Sequence, residues 1–141
     1  MSNVTKPTLF LKDNTDENIS VTVSGLVMCF GIFMKHYKGL EFDAVVAGHF
    51  NTPSMYDPKT KTFTESGLIF LLKFKKYLIS QNWDVEDIEV FIYYAEKTEG
   101  KTHENSDNII LSFKKFFKSL SINHIEIDLG KDDKGFYTFV F

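Results

Sequence analysis

"VTVSGLVMCFGIFMKHY", residues 21–37, is the stretch whose reading decides the fold. Valine, isoleucine and phenylalanine dominate it, and these residues suit a pleated, half-buried surface. Gly25 and Gly31 lie inside it. Glycine within a strand pattern marks a bend or a close backbone approach. The stretch therefore reads as one strand, a tight break near Gly25, and a second strand after Cys29. "YKGLEFD" follows as a hairpin connection around Gly39, and "AVVAGHF" (44–50) is the returning strand. Pro53 and Pro58 mark a loop through "NTPSMYDPKTKT". Upstream, "KDNTDENIS" (12–20) is polar and reads as a loop or frayed end. Residues 1–20 are thus expected to be a flexible or peripheral lead-in to a single domain spanning 1–141.

Two helices are expected downstream. The first begins near Thr64-Glu65-Ser66 and runs to about Ser80. Leu68, Leu71, Leu72, Leu78 and Ile79 are assigned to its apolar face and the lysines to the other. The second begins at Ser106 or Asp107, with Ile109, Ile110, Phe113, Phe116, Phe117 and Leu120 as an amphipathic stripe. "DIEVFIYYAE" (87–96) is a strand between them, with Tyr93 and Tyr94 available to line a cleft. "NHIEIDLG" and "GFYTFVF" are two closing strands joined by "KDDK". The order β-β-β-α-β-α-β-β predicts an α/β (α+β) layered sandwich, a mixed or antiparallel sheet carrying two main helices.

Composition narrows the functional classes. The chain has 141 residues, 43% of them hydrophobic, with 15 phenylalanines, enough for one packed core. No apolar run approaches the roughly 20 residues that span a bilayer, and no signal-peptide pattern opens the chain. The net charge is −3 and all 16 basic residues are lysine. Without arginine there is no bidentate fork for phosphate or guanine, so no nucleic-acid partner is expected. The lysine clusters 73, 75, 76 and 114, 115, 118 read as solvated helix faces. Cys29 is the only cysteine, which fits a reducing, cytoplasmic setting. Export without a cleaved signal peptide is compatible with the same facts. With one cysteine and neither HxxxH nor CxxC, no metal and no cofactor are expected, and there is no glycine-rich phosphate loop. His36, His103 and His124 show no partner at recognisable spacing, and a monomer is the default.

Several stretches resemble, in order, the CheD-like family of chemoreceptor glutamine deamidases. More distantly they resemble the deamidase domains of cytotoxic necrotizing factor-type toxins. "SGLVMCFGIF" is similar to the family's nucleophile segment, and "AGHFNTP" to its Ala-His-Phe-Met-Leu-Pro. "FTESGLIFLLKFKKYLI" sits where the family has its first long helix, and "IEVFIYYAE" where it has Lys-Val-Phe-Gly-Gly-Ala. The ending from "NIILSFKKFF" onward matches its helix, strand, turn and final strand. The chain departs from the pattern at Val27-Met28, where the family has Gly-Ser. Val23 falls at its catalytic threonine, flanked by Thr22 and Ser24. Tyr93-Tyr94 replaces a Gly-Gly pair, and the tail lacks the family's arginine.

The resemblance implies the deamidase fold and a protein partner bearing a reactive glutamine. Cys29 would be the nucleophile, His49 its base and the later proton donor, and Ser24 a third member orienting His49. Backbone N–H groups of Met28 and Cys29 would hold the oxyanion. The target would be a receptor-like helical protein, or a host protein if the chain acts as a toxin or effector. Two alternatives stand beside this: a deamidase-fold binding module without turnover, and a fold-level likeness alone. By themselves, a lone cysteine in an apolar strand is usually a small buried hydrophobe, and a strand-end histidine a satisfied surface group.

Overall fold

The computed structural model describes residues 2–12, 17–26, 28–95, 106–130 and 135–141. Its strands are β1 (Ser2–Asn3), β2 (Thr8–Leu11), β3 (Ser20–Val23), β4 (Phe30–Lys38) and β5 (Glu41–Phe50). A short helix α1 (Thr52–Met55) and a small hairpin, β6 (Tyr56–Asp57) and β7 (Thr62–Phe63), lead into α2 (Glu65–Ser80). Then come β8 (Ile88–Ala95), α3 (Ser106–Ser119), β9 (Ile125–Gly130) and β10 (Tyr137–Val140). The expected α+β architecture holds, with a mixed, mainly antiparallel main sheet.

The main sheet has the order β2-β5-β4-β8-β9. β4 is central and buried on both faces, which is why its sequence is nearly continuously apolar rather than alternating. β8 and β9 are parallel, and α3 supplies the crossover that parallel neighbours require. A smaller sheet, β1-β3-β10, forms a second layer. Residues 2–3 and 8–11 form strands within the segment expected to be a flexible or peripheral lead-in: β2 is the edge of the main sheet, and β1 pairs with β3. The two closing strands separate, β9 to the main sheet and β10 to the smaller one. The "KDDK" segment and His103 lie outside the described residues.

One face of the main sheet packs on the helices. Phe30, Ile32, Met34, Val46, Phe50 and Ile92 meet Phe70, Leu71 and Phe74 of α2 and Phe113 and Phe117 of α3. Phe113 is the hub, edge-on to Phe50 at 4.8 Å and to Phe30 at 5.2 Å. The α3 stripe is as expected, whereas on α2 only Leu71 and Leu78 of the expected apolar face are buried. The buried α2 residues are Gly67, Phe70, Leu71, Phe74 and Leu78, while Leu68, Leu72 and Ile79 face solvent. Leucines surround this helix, so their spacing alone does not select a face. The two phenylalanines, which bury more area each, determine it.

The opposite face packs on the smaller sheet through Val21, Val23, Leu26, Phe33, Val45, Ala47 and Phe139. Lys35 is buried here, its ammonium 4.2 Å from the Phe139 ring centroid and 4.5 Å from that of Phe91. Desolvation holds its pKa below the ordinary lysine value, against the opposing pull of Glu89 and Glu126. Between that lowered value and 10.5, the unfolded chain binds more protons than the folded one, so stability rises with pH in this window. Below the window the burial penalty is fully present. Tyr37 and Tyr137 are shifted up, chiefly by burial, and reduce stability only above about 10. Wild type should therefore gain on Lys35→Met as pH is raised from neutral towards 10. Paired urea titrations check this, and a pH-independent gap would contradict it.

Candidate functional site

Antiparallel pairing sets the site. Phe30 faces Phe50 and Gly31 faces His49 across β4 and β5. Cys29, immediately before β4, therefore lies opposite Asn51, immediately after β5. Cys29, Gly31, His49 and Asn51 share one face, because side chains alternate along a strand. Cys29 and His49 are diagonal neighbours, a relation that sets positions about 7–8 Å apart, a gap that aromatic and long side chains span.

The loop that follows β3 is clamped onto this face. A Cβ on Gly25 would lie 3.2 Å from the His49 ring, so the Gly25 backbone packs directly on the imidazole. Gly25 also has φ +69°, a conformation glycine adopts without cost. A Cβ on Gly31 would lie 3.0 Å from Leu26 Cδ1. The missing side chain at 31 thus makes the space that Leu26 fills, fully buried. The Leu26 N–H donates to the Gly135 carbonyl at 2.8 Å, tying the loop to the C-terminal segment.

Met28, just before the cysteine, has φ +67°, an uncommon conformation for a side chain of this size. It occupies a turn closed by the Cys29 N–H donating to the Leu26 carbonyl at 3.2 Å. That bond corrects one expectation: the Cys29 N–H is already engaged, so of the two proposed oxyanion donors only Met28 N–H remains.

Cys29 is 9% exposed. Its thiol contacts Asn51 Oδ1 at 3.9 Å, and no hydrogen bond joins it to His49 among the described residues. The His49 backbone N–H donates to the Thr5 carbonyl at 2.9 Å, which fixes the strand end. The Asn51 carbonyl accepts from the N–H groups of Ser54 and Met55, so α1 begins at this residue and fixes its backbone. Sequence reading missed Asn51. The register of β4 against β5 places it opposite the cysteine, and the hairpin around Gly39 was the signal available.

The hydroxyl candidates separate. Val23 is fully buried in the second core. Thr22 Oγ1 is hydrogen-bonded to Thr138 Oγ1 at 2.7 Å within the smaller sheet, so this hydroxyl is committed elsewhere. Ser24 directly precedes the glycine that covers His49 and is half-buried. Tyr93 and Tyr94 are both buried. Tyr93 shares the face of Gly31, whereas Tyr94 stacks on Phe30 at 4.7 Å in the helix-facing core.

A cavity of about 420 Å³ adjoins the site, between residues 5–7, the end of β5 and the first turns of α2. His49 and Asn51 line it and Cys29 does not, so Asn51 stands between the cavity and the sulfur. Its floor is apolar, with Pro7, Ile69 and Phe70, and its cations are Lys6 and Lys73.

The two other histidines among the described residues, His36 and His124, are partnered, contrary to the sequence reading. His36 Nδ1 is 2.6 Å from Asp43 Oδ1 across the β4–β5 hairpin, and its ring stacks on Trp83 at 4.9 Å. His124 Nε2 is 3.6 Å from Glu126 Oε1. With Glu89 these two form a group whose potential ligand atoms lie within 4.8 Å of one another. His124 and Glu126 are solvent-exposed, and Glu89 accepts a hydrogen bond from the Tyr37 hydroxyl at 2.9 Å.

Comparison with family models and with curated proteins finds no match. No helix among the described residues is long and apolar enough to cross a membrane.

Proposed function

We propose that the protein is a cysteine-dependent protein-glutamine deamidase. The observation that carries this reading is the placement of the single cysteine and His49 on one sheet face, diagonal to each other, beside a cavity that His49 lines. The Cys29 thiolate attacks the amide carbon of a glutamine side chain. The C–N bond breaks, His49 protonates the departing nitrogen, and ammonia leaves a thioester on sulfur. Water, giving its proton to His49, then attacks the thioester carbonyl, and glutamate leaves as the C–S bond breaks. The Met28 N–H and the Asn51 amide are the available donors for the tetrahedral oxyanion. The sulfur must leave Asn51 for the imidazole. Ser24 is the hydroxyl best placed to steady the covered ring of His49.

A panel of glutamine-bearing helical proteins, incubated with wild type or Cys29→Ser and read by mass spectrometry, tests this. Amide-to-acid conversion only with wild type supports it, and no conversion across the panel counts against it. Asn51→Ala should raise the iodoacetamide reactivity of Cys29 by releasing the thiol, while lowering turnover about 10²-fold through loss of an oxyanion donor.

A second reading, a binding module without turnover, is favoured by two observations. Val23 offers no hydroxyl, and the thiol is turned to Asn51. Thiol reactivity discriminates the two readings.

A further inference from the structure

We infer that the cavity beside His49, together with the exposed face of α2, is a recognition surface for an acidic, leucine-type apolar segment of the protein that carries the target glutamine. The inference rests on the deamidase reading for the word target, but its physical basis is separate. The cavity has an apolar floor and no carboxylate among its lining residues, while Lys6 and Lys73 approach it from opposite walls. Its volume, about 420 Å³, suits a few side chains of a bound segment rather than a whole folded face.

The surface continues past the cavity mouth. Ile69 lines the cavity and is 52% exposed, and Leu68 and Leu72, one helical turn apart, are 46% and 50% exposed beside it. Three large aliphatic side chains left together in water on a helix whose opposite face is packed mark a contact surface. Charge then selects the partner. α2 carries Lys73, Lys75 and Lys76 against one acid, Glu65 in its first turn. The chain as a whole has net charge −3, so this local cationic face runs against the overall balance. A segment alternating leucine with glutamate would lay its apolar residues on Ile69, Leu68 and Leu72 and its carboxylates by the lysines. Asn51 links the two places: it lines the cavity, and its Oδ1 is 3.9 Å from the Cys29 sulfur.

The test uses two fluorescein-labelled peptides, each with one central glutamine among leucines, one flanked by glutamates and the other by lysines. Binding is read by anisotropy against wild type, Cys29→Ser and the double variant Lys6→Glu/Lys73→Glu. Both lysines are solvent-exposed, so the double variant is expected to fold, and circular dichroism checks that. The glutamate peptide should bind wild type and Cys29→Ser alike, bind the double variant about tenfold more weakly, and lose affinity with added salt. The lysine peptide should show the reverse preference. Equal binding of both peptides, no binding of either, or indifference to the charge reversal would overturn the surface. So would a wild-type dimer that the reversal dissociates, since the occupant would then be a second copy. Mass spectrometry of the bound glutamate peptide separates this inference from the enzyme reading. Binding without conversion keeps the surface and removes the deamidase. Conversion indifferent to flanking charge does the opposite.

Discussion

Gly67→Ala is expected to destabilise the protein by about 3 kcal/mol, although alanine is the better helix former. A Cβ at 67 would lie 2.1 Å from the Met55 carbonyl oxygen and 3.1 Å from its carbon, both backbone atoms that no rotamer change can move aside. The contact is close because Thr64 binds α1 to the start of α2. Its N–H donates to the Met55 carbonyl at 3.0 Å, its hydroxyl to the Ser54 carbonyl at 2.8 Å, and the same oxygen accepts from Gly67 N–H at 3.2 Å. An alanine must break this junction or displace α2 from the core. Helix propensity would return about 1 kcal/mol, too little to offset it. For a chain of this size the melting temperature should fall by about 10 °C. Gly39→Ala is the control. It meets nothing within 4 Å but has φ +67°, so it should cost only the left-handed strain of about 1–2 kcal/mol. Equal losses at the two positions would show that the close approach at Gly67 is not what holds α1 to α2.

On the proposed deamidase reading, His49→Ala lowers deamidation about 10²- to 10⁴-fold, the range for removing a positioned acid–base group. Cys29→Ser should remove turnover altogether, since a hydroxyl beside a single imidazole is a far weaker nucleophile than a thiol. Neither change should unfold the protein. Serine is close in size to cysteine, and Cys29 sits at the sheet end, whereas the large aromatics fill the helix-facing core. A His49→Ala protein with undiminished deamidation would remove His49 from the chemistry, whatever its place on the strand.

Most of the framework was legible in residues 21–50 because it is local. Gly25, Gly39 and the valine- and phenylalanine-rich runs fix two strands, a break and a hairpin, and the hairpin by itself brings His49 back towards Cys29. α3 was legible for a similar reason: its apolar residues fall on one stripe with polar residues between them. What was not legible depends on contacts distant in sequence. Thr8–Leu11 becomes a strand only because β5 offers it an edge. The buried face of α2 is chosen by Phe70 and Phe74 meeting Phe50 and Phe117, which residue spacing does not encode. Asn51 acquires its place beside the sulfur from the register of β4 on β5. The engaged N–H of Cys29 follows from the turn at Met28.

The central claim is that His49 activates Cys29, and the most direct test is the rate of Cys29 alkylation by iodoacetamide against pH in wild type and in His49→Ala. The thiolate is the reacting species, so an activating imidazole shows itself where a free thiol is still mostly protonated. The account predicts that wild type reacts about tenfold faster than His49→Ala at neutral pH, and that the two rates converge in alkali, where any thiol is ionised. Rates that coincide across the whole range would contradict it, and would leave a thiol held by Asn51 in a protein that binds its partner without changing it.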